Sequence, residues 1–546
     1  MPRSTYSNNS EAQPLLVRTC STVSSTHGAP TPMSSMASAF GDDALKISMR
    51  RPPKDTIYGS GSVSPYAHTP ALITPRSPFE EGFPMMFTSP IPSPRPHRLS
   101  FSYERHDRHR ELHVFLTLLM SVVGAGMLSV PYTFLLVPTW EAVLGIVGVG
   151  VSMAITATAL LYAHVQLAQD EERTFHIGAG KRFASFQSIA IAAGGAPLGY
   201  VVSVVTAIGI YGGCVGCIRI VKDIAPFIIS ISRTLLNTET LALDQHTLAS
   251  YLLWGVFLVV VFPLCILKNL SALRVSSYLG FAFSLYLVAA IVYRSFHALE
   301  VPALPEGAIA PPPTAAATPT VVVGALFSRV SQSISIYNYA FMMQLNLIPL
   351  FIQLRGAFAE PLATSTHKMT RCIFGVSLFC VGLYVAFGVC ARRLYGDAIR
   401  GNILLNLEND PVMAVPLVAV FLTVILSFPL LFHPLRGVIE ELAFAVSIQE
   451  IPFSTRLATT AALLLTQLGL AVWVPGIEVV FALTGASSCL LICFAFPVVL
   501  FMRLYPWQQK LPTRRRKVLV LGVLWLIVAF FTVVGADATW FLLISK

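Results

Sequence analysis

The stretch 121-SVVGAGMLSVPY-132 places Gly124, Gly126 and Pro131 inside a long apolar run. If this run crosses a bilayer, its backbone N–H and C=O groups need partners, because hydrocarbon offers none. An interrupted helix leaves N–H groups with partial positive charge at one end and carbonyls with partial negative charge at the other. The first end suits a carboxylate and the second an ammonium group or a cation, so the stretch could bind both ends of an α-amino acid. The alternative is close helix packing through small residues.

A second stretch, 339-YAFMMQLNLIPLFIQL-354, carries Gln344, Asn346 and Pro349 in apolar surroundings. It lies in the sixth predicted membrane span. The sixth span begins the second set of five spans, and the first span, which contains the first stretch, begins the first set. Paired interruptions in corresponding helices of two five-helix halves indicate an inverted-repeat transporter with a central site. The two stretches are therefore interpreted as two sides of one site.

The composition predicts a polytopic membrane protein with all-α spans. The chain has 546 residues, of which 55% are hydrophobic and 12% charged, with a mean hydropathy of +0.69, whereas soluble domains have about 25% charged residues. The net charge of +10 reflects basic residues in tails and short loops such as 503-RLYPWQQKLPTRRRK-517, so it indicates topology and no nucleic-acid partner. Apolar runs near the 20-residue length of a bilayer core predict eleven spans, at 113–138, 142–168, 196–231, 248–267, 274–298, 321–354, 370–391, 411–434, 457–474, 476–502 and 517–543.

Residues 1–112 are rich in Ser, Pro and Thr and are predicted to be a disordered cytoplasmic tail, followed by a transmembrane domain over 113–546. Basic residues just before the first span favour a cytoplasmic N-terminus. Within the tail, 11-EAQPLL-16 is similar to an acidic dileucine signal, which predicts adaptor-protein binding at Glu11, Leu15 and Leu16. Such a signal favours an endosomal, lysosomal or vacuolar membrane, with the plasma membrane as the alternative.

Enzyme and metal chemistry find little support in the sequence. Cys214 and Cys217 form a CxxC within GGCVGC, but no second ligand pair is nearby, so we interpret the segment as small-residue helix packing. HExxH, GxSxG and P-loop motifs do not occur. We therefore expect no enzymatic activity, no metal and no bound cofactor.

The order of several motifs resembles the amino acid/auxin permease family, and within it the branch of neutral amino acid transporters with eleven spans. This resemblance implies a LeuT-type fold with a five-plus-five inverted repeat and an eleventh helix. It also implies secondary active transport of amino acids, chiefly neutral ones, by alternating access across the lipid bilayer. The motifs that carry it are GAGMLSVPY (124–132), IVKDIAP (220–226), VVVFPLCILKNLSALRVSSYLGFAFS (259–284), QLNLIPLFIQLRG (344–356), NILLNL (402–407), SFPLLFHPLRGVIEEL (427–442) and WVPGIEVVFALTGASS (473–488).

One departure from the family concerns the coupling ion. Sodium-coupled members of this family are similar to one another in carrying an Asn four residues before the first glycine. This chain has Met120 at that position. A thioether is a poor ligand for a hard cation, so proton coupling or uniport is expected in place of sodium coupling. A second departure lies in the sixth span, where Gln344 and Asn346 stand in place of titratable residues. The alternative function is a membrane amino-acid sensor that signals through the N-terminal tail.

The candidate site residues follow from this interpretation. The substrate carboxylate is expected at Gly124–Gly126 and the substrate side chain against the sixth span. The hydroxyls of the eighth span could instead bond to their own helix. The predicted substrate-binding residues are Ser121, Gly124, Ala125, Gly126, Met127, Phe341, Met342, Gln344, Thr423 and Ser427, and the candidates for proton coupling are Asp223, His433 and Glu441.

Overall fold

The computed structural model describes nine stretches of the chain, and every regular element within them is helical. The predicted tail up to residue 100, with the adaptor motif at Glu11, Leu15 and Leu16, lies outside the described residues. The described stretches are 101–175, 185–236, 245–267, 274–297, 319–355, 361–407, 414–444, 452–507 and 514–544.

Fifteen α-helices are named here in chain order. They are α1 (Phe101–Val122), α2 (Val130–Leu136), α3 (Thr139–Phe175), α4 (Phe186–Leu236), α5 (Gln245–Gly255), α6 (Phe262–Ile266), α7 (Arg274–His297), α8 (Pro319–Ala340), α9 (Gln344–Arg355), α10 (Leu362–Tyr395), α11 (Ala414–Phe444), α12 (Phe453–Trp473), α13 (Ile477–Thr484), α14 (Phe496–Leu504) and α15 (Arg514–Ile544).

Within the described stretches, nine helices are long and apolar enough to cross a membrane, or ten if the bent pair formed by α1 and α2 is one span. These ten correspond to ten of the eleven predicted spans. The remaining one, 321–354, is divided between α8 and α9. α1 begins at Phe101, earlier than the predicted start at residue 113. The prediction of an all-α polytopic membrane protein is confirmed, while the five-plus-five repeat with an eleventh helix stays a prediction.

Small residues allow α4 to approach its neighbours closely. A Cβ atom at Gly212 would overlap Thr484, and one at Gly216 would overlap Phe481, both in α13. Cys214 on the same helix is fully buried. These contacts support the interpretation of GGCVGC as a packing surface, because small side chains let helix backbones come together in membranes.

In the part of the chain that the structure describes, three π-helical segments interrupt the α-helical spans. One, Val256–Val261, separates α5 from α6, and two more, Gly485–Cys489 and Leu491–Ala495, lie between α13 and α14. A π turn displaces carbonyls from the regular i→i+4 ladder, and such turns occur frequently at functional sites. The segment 485–495 packs beside α8, so it borders the region where the sixth predicted span is interrupted.

Candidate substrate site at two interrupted helices

The first break comprises residues 123–129, between α1 and α2. α1 ends at Val122, Gly124 is extended (φ −127°, ψ −154°), and the chain then forms a 3-10 helix from Ala125 to Ser129. The two flanking helical parts are bent by 46°. Pro131 lies in the first turn of α2, where its missing N–H leaves no intrahelical bond unmade. The predicted interruption is therefore present at the predicted glycines.

The second break comprises residues 341–343, between α8 and α9. The Phe341 N–H still donates to Tyr337 O at 2.9 Å, while the Met343 N–H donates to the side-chain Oε1 of Gln344 at 3.1 Å. Pro349, which the sequence associated with this interruption, lies inside α9. The helix is thus interrupted ahead of the proline, and the Gln344 side chain replaces a backbone acceptor there.

The first break meets the end of α8 at Gly126. A Cβ atom at this position would lie 2.9 Å from Tyr339 Cδ1 and 3.0 Å from Ala340 Cα, distances that real Cβ atoms rarely show. By contrast, a Cβ atom at Gly124 would have no atom within 4 Å, and Gly124 and Ala125 are both half-buried. Gly126 therefore forms the contact between the first break and the end of α8, while a Cβ atom at Gly124 would meet no neighbour.

Tyr384 of α10 contacts both breaks through one hydroxyl group. Its Oη lies 3.1 Å from Val122 O, at the end of α1, and 3.1 Å from Ala340 O, at the end of α8. The side chain is fully buried. Sequence reasoning missed this residue, because a tyrosine in an apolar span carries no local sign of which distant carbonyls it reaches.

Tyr339 of α8 is a second aromatic residue that the sequence reasoning did not assign to the site. Its ring stacks on Phe481 of α13 with centroids 4.4 Å apart and an interplanar angle of 12°. It also fills the space beside Gly126 and Gly213, which lack side chains. Tyr339 thus connects the first break to α4 and α13.

The predicted residues of the second break have separate surroundings. Phe341 is fully buried and lies edge-on to the Tyr384 ring, whereas Met342 is half-buried with its Sδ 3.6 Å from Cys489 Sγ. The Gln344 Nε2 donates to Cys493 O at 3.3 Å and lies 3.2 Å from Met153 Sδ. Gln344 therefore ties the second break to a carbonyl of the π-helical segment 485–495, and its contact with substrate stays a prediction.

Replacing Gln344 with methionine is expected to lower stability by about 1–3 kcal/mol, because the Met343 N–H and the Cys493 carbonyl would lose a buried partner. Methionine has a similar length, so the packing volume is nearly kept. Thermal unfolding of the purified variant measures the loss. An unchanged unfolding temperature together with a raised KM for uptake would assign Gln344 to substrate binding and contradict the structural role.

The predicted hydroxyl residues are engaged mainly with their own helices. The Ser121 hydroxyl donates to Leu118 O at 2.7 Å, and the Thr423 hydroxyl donates to Ala419 O at 2.7 Å. The Thr423 methyl group also occupies the space beside Gly280 of α7. Ser427 is half-buried, and Met127 is fully buried in the core. The roles of these residues in substrate binding stay predictions.

Asp223 belongs to a polar cluster in the second half of α4. Its carboxylate lies 3.1 Å from Arg219 Nη2 and accepts a hydrogen bond from Asn402 Nδ2 at 3.1 Å. Arg219 also donates to Pro475 O at 2.6 Å, and Lys222 donates to Val472 O at 2.9 Å. The cluster joins α4 to the turn after α12 and to the loop after α10, which is a structural explanation for Asp223.

His433 lies beside a buried ion pair of α11 that the sequence reasoning missed. Arg436 Nε lies 3.8 Å from Glu440 Oε1, and both side chains are buried. Arg436 also donates to His433 Nδ1 at 3.2 Å and to Cys265 O, near the end of α6, at 2.8 Å. The third proton candidate, Glu441, is half-buried. Whether His433 or Glu441 carries a proton stays a prediction.

His164 of α3 is a further ionisable residue that sequence reasoning did not single out. It is fully buried, its ring lies edge-on to Phe351 at 5.6 Å, and neither ring nitrogen has a hydrogen-bond partner among the described residues. Its position in an apolar span was the available signal, since ionisable groups at membrane depth are often functional. Within the described part of the chain, no group of three His, Cys, Asp or Glu residues could hold a metal ion.

The chain is similar to several curated proteins whose names describe amino acid transporters. Curated relatives include amino acid transporter AVT6E of Arabidopsis thaliana, 26% identical over 52% of this chain and 56% of the relative. Sodium-coupled neutral amino acid symporter 2 of Danio rerio is 23% identical over 60% and 64%. Vacuolar amino acid transporter 6 of Saccharomyces cerevisiae is 25% identical over 60% and 65%. The chain thus spans less than two thirds of the length of each of these relatives.

Among solved structures, a manganese transporter of Eremococcus coleocola is similar over 82% of this chain and 88% of that chain, with 13% identity and a TM-score of 0.44. The profile of the family described as transmembrane amino acid transporter protein matches residues 111–541. This match covers most of the chain, including both breaks and, from residue 111 onward, the helices that flank them. The chain is a multi-pass membrane protein that belongs to the transmembrane amino acid transporter protein family.

Proposed function

We propose that the protein is a secondary active transporter of amino acids, chiefly neutral ones, that works by alternating access. The observation that carries this proposal is the meeting of two interrupted helices at Gly126, Tyr339 and Ala340. In this arrangement the substrate carboxylate binds the open N–H groups that begin the 3-10 helix Ala125–Ser129, since a helix N-terminus attracts anions. The substrate ammonium binds near the carbonyl ends of α1 and α8.

Preference for neutral amino acids is supported by the side chains around the breaks. Tyr339, Phe341 and Met342 are uncharged, and a charged substrate side chain placed against them would lose its hydration without a partner. Gly124 leaves open space beside the backbone that receives the carboxylate. The name of the Danio rerio relative, a sodium-coupled neutral amino acid symporter, agrees with this preference for neutral substrates but describes that protein as coupled to sodium.

We further propose that transport is proton-coupled or uncoupled and does not need sodium. Met120 offers a thioether where a sodium ion would need oxygen. The protein is proposed to reside in an endosomal, lysosomal or vacuolar membrane with its N-terminus in the cytoplasm. The vacuolar name of the Saccharomyces cerevisiae relative supports this compartment, and an acidic lumen would supply a proton gradient.

Uptake by the full chain reconstituted into liposomes tests the proposal. Labelled neutral, acidic and basic amino acids are supplied at two external pH values, each with sodium or choline as the main cation. We expect saturable uptake of neutral amino acids that is equal in sodium and choline. The absence of saturable uptake of any amino acid would contradict transport, and binding without flux would favour a sensor. Uptake that requires sodium would contradict only the coupling.

A further inference from the structure

Two helices end within reach of one buried hydroxyl group. α1 ends at Val122 and α8 at Ala340, and these residues are 3% and 2% exposed. The last carbonyls of a helix carry about half a negative charge. Because each carbonyl oxygen lies 3.1 Å from Tyr384 Oη, the two are no farther apart than twice that distance, about 6.2 Å. Two negative helix ends therefore share one place in the core.

Such a convergence needs positive charge or donated protons, since helix-end carbonyls at membrane depth must be satisfied by a neighbouring group. A monovalent cation would serve both carbonyls at once, because hard cations accept several oxygen ligands. The Tyr384 hydroxyl has a single proton to donate. It gives this proton to Val122 O or to Ala340 O, or divides it between them, and Val122 O also accepts the Gly124 N–H at 2.9 Å.

The surroundings of Tyr384 hold its hydroxyl at this position. The side chain is fully buried, and its ring lies edge-on to Phe341 with centroids 5.0 Å apart and an interplanar angle of 75°. One helical turn later on α10, the Phe134 ring of α2 fills the space left by Gly388. The ring therefore contacts the second break, the hydroxyl contacts both breaks, and the same helix contacts α2.

We propose that Tyr384 is a positioning residue whose hydroxyl proton takes the place of a monovalent cation between the two helix ends. The inference rests on the proposed transport function and deepens it, because it names a reason why substrate binding needs no sodium. In this arrangement the proton keeps the carbonyl ends of α1 and α8 together. The carbonyl lone pairs that this proton and the Gly124 N–H leave free remain available to the substrate ammonium.

The experiment compares Tyr384→Phe with a matched control, Tyr337→Phe. Tyr337 is 1% exposed, and its hydroxyl is 2.6 Å from Thr133 Oγ1, so the control also removes one buried tyrosine hydroxyl. Both variants are reconstituted, and uptake kinetics are measured in sodium, lithium or choline chloride. For Tyr384→Phe we expect KM in choline to rise about tenfold, as the loss of one hydrogen bond at a helix end implies. Sodium or lithium should restore KM toward the wild-type value.

A second measurement separates positioning from general stability. Thermal unfolding in detergent should show that sodium stabilises Tyr384→Phe but neither the wild type nor Tyr337→Phe. A Tyr384→Phe variant with the wild-type KM and no response to salt would overturn this inference alone. A Tyr384→Phe variant that fails to fold in all three salts would also overturn it. A wild type that takes up no amino acid would instead overturn the proposed function, and this inference with it.

Discussion

Replacing Gly126 with valine is expected to abolish amino acid uptake while leaving the chain inserted in its membrane. Even the Cβ atom would lie 2.9 Å from Tyr339 Cδ1 and 3.0 Å from Ala340 Cα. The tyrosine ring is stacked on Phe481 and Ala340 is backbone, so neither neighbour yields easily. The first break must then separate from the end of α8, next to the second break. Because binding geometry is sensitive to shifts near 1 Å, uptake should fall by about 100-fold or more.

Gly148→Ala of α3 provides the matched control. Gly148 is exposed, and a Cβ atom at this position would have no atom within 4 Å. Uptake assays in proteoliposomes, together with the amount of each variant recovered from membranes, distinguish lost transport from lost insertion. Wild-type uptake by Gly126→Val would show that the contact between the breaks is dispensable and would leave Gly126 as an ordinary packing glycine.

Replacing Arg436 with methionine is expected to destabilise the protein by about 3–5 kcal/mol, because removing one member of a buried ion pair leaves the other charge uncompensated. The remaining charge would be that of Glu440, which is fully buried. The Cys265 carbonyl near the end of α6 would also lose the donor that lies 2.8 Å away. The loss should appear as a lower unfolding temperature of the purified protein.

A control variant and a double variant show whether the lost stability comes from the uncompensated charge of Glu440. Arg503→Met removes an exposed guanidinium and should change stability by no more than about 0.5 kcal/mol. The double variant Arg436→Met with Glu440→Gln removes both charges and should recover part of the loss, since the uncompensated carboxylate is gone. An Arg436→Met variant as stable as Arg503→Met would mean that Glu440 is charge-compensated by other groups.

The membrane character, most of the spans and the first break could be predicted from the sequence. Hydropathy reports burial in lipid directly, and two glycines followed by a proline within one span are a local sign of interruption. The exact position of the second break was not predictable, because the helix ends ahead of Pro349 and not at it. What ends it is a side chain, Gln344, whose amide accepts the Met343 N–H.

The partners that assemble the site also escaped prediction. Tyr384 reaches the ends of two helices that are 262 and 44 residues away in the chain. The contact of Tyr339 with Gly126 is equally remote in sequence. Periodicity describes which face of a helix is apolar, but it does not say which face of which other helix lies opposite. Such pairs emerge only when the helices are packed.

The π-helical turns between Gly485 and Ala495 change the phase of their span. One extra residue turns all following side chains by about 100°, the rotation per residue of a helix with 3.6 residues per turn. The two ends of this span therefore belong to different helical wheels, and a single wheel drawn through the whole span would give Phe494, which stacks on Phe531 of α15, the wrong direction. Deletion of one residue from each of the two π-helical segments would restore a regular wheel but rotate Phe494 away from Phe531.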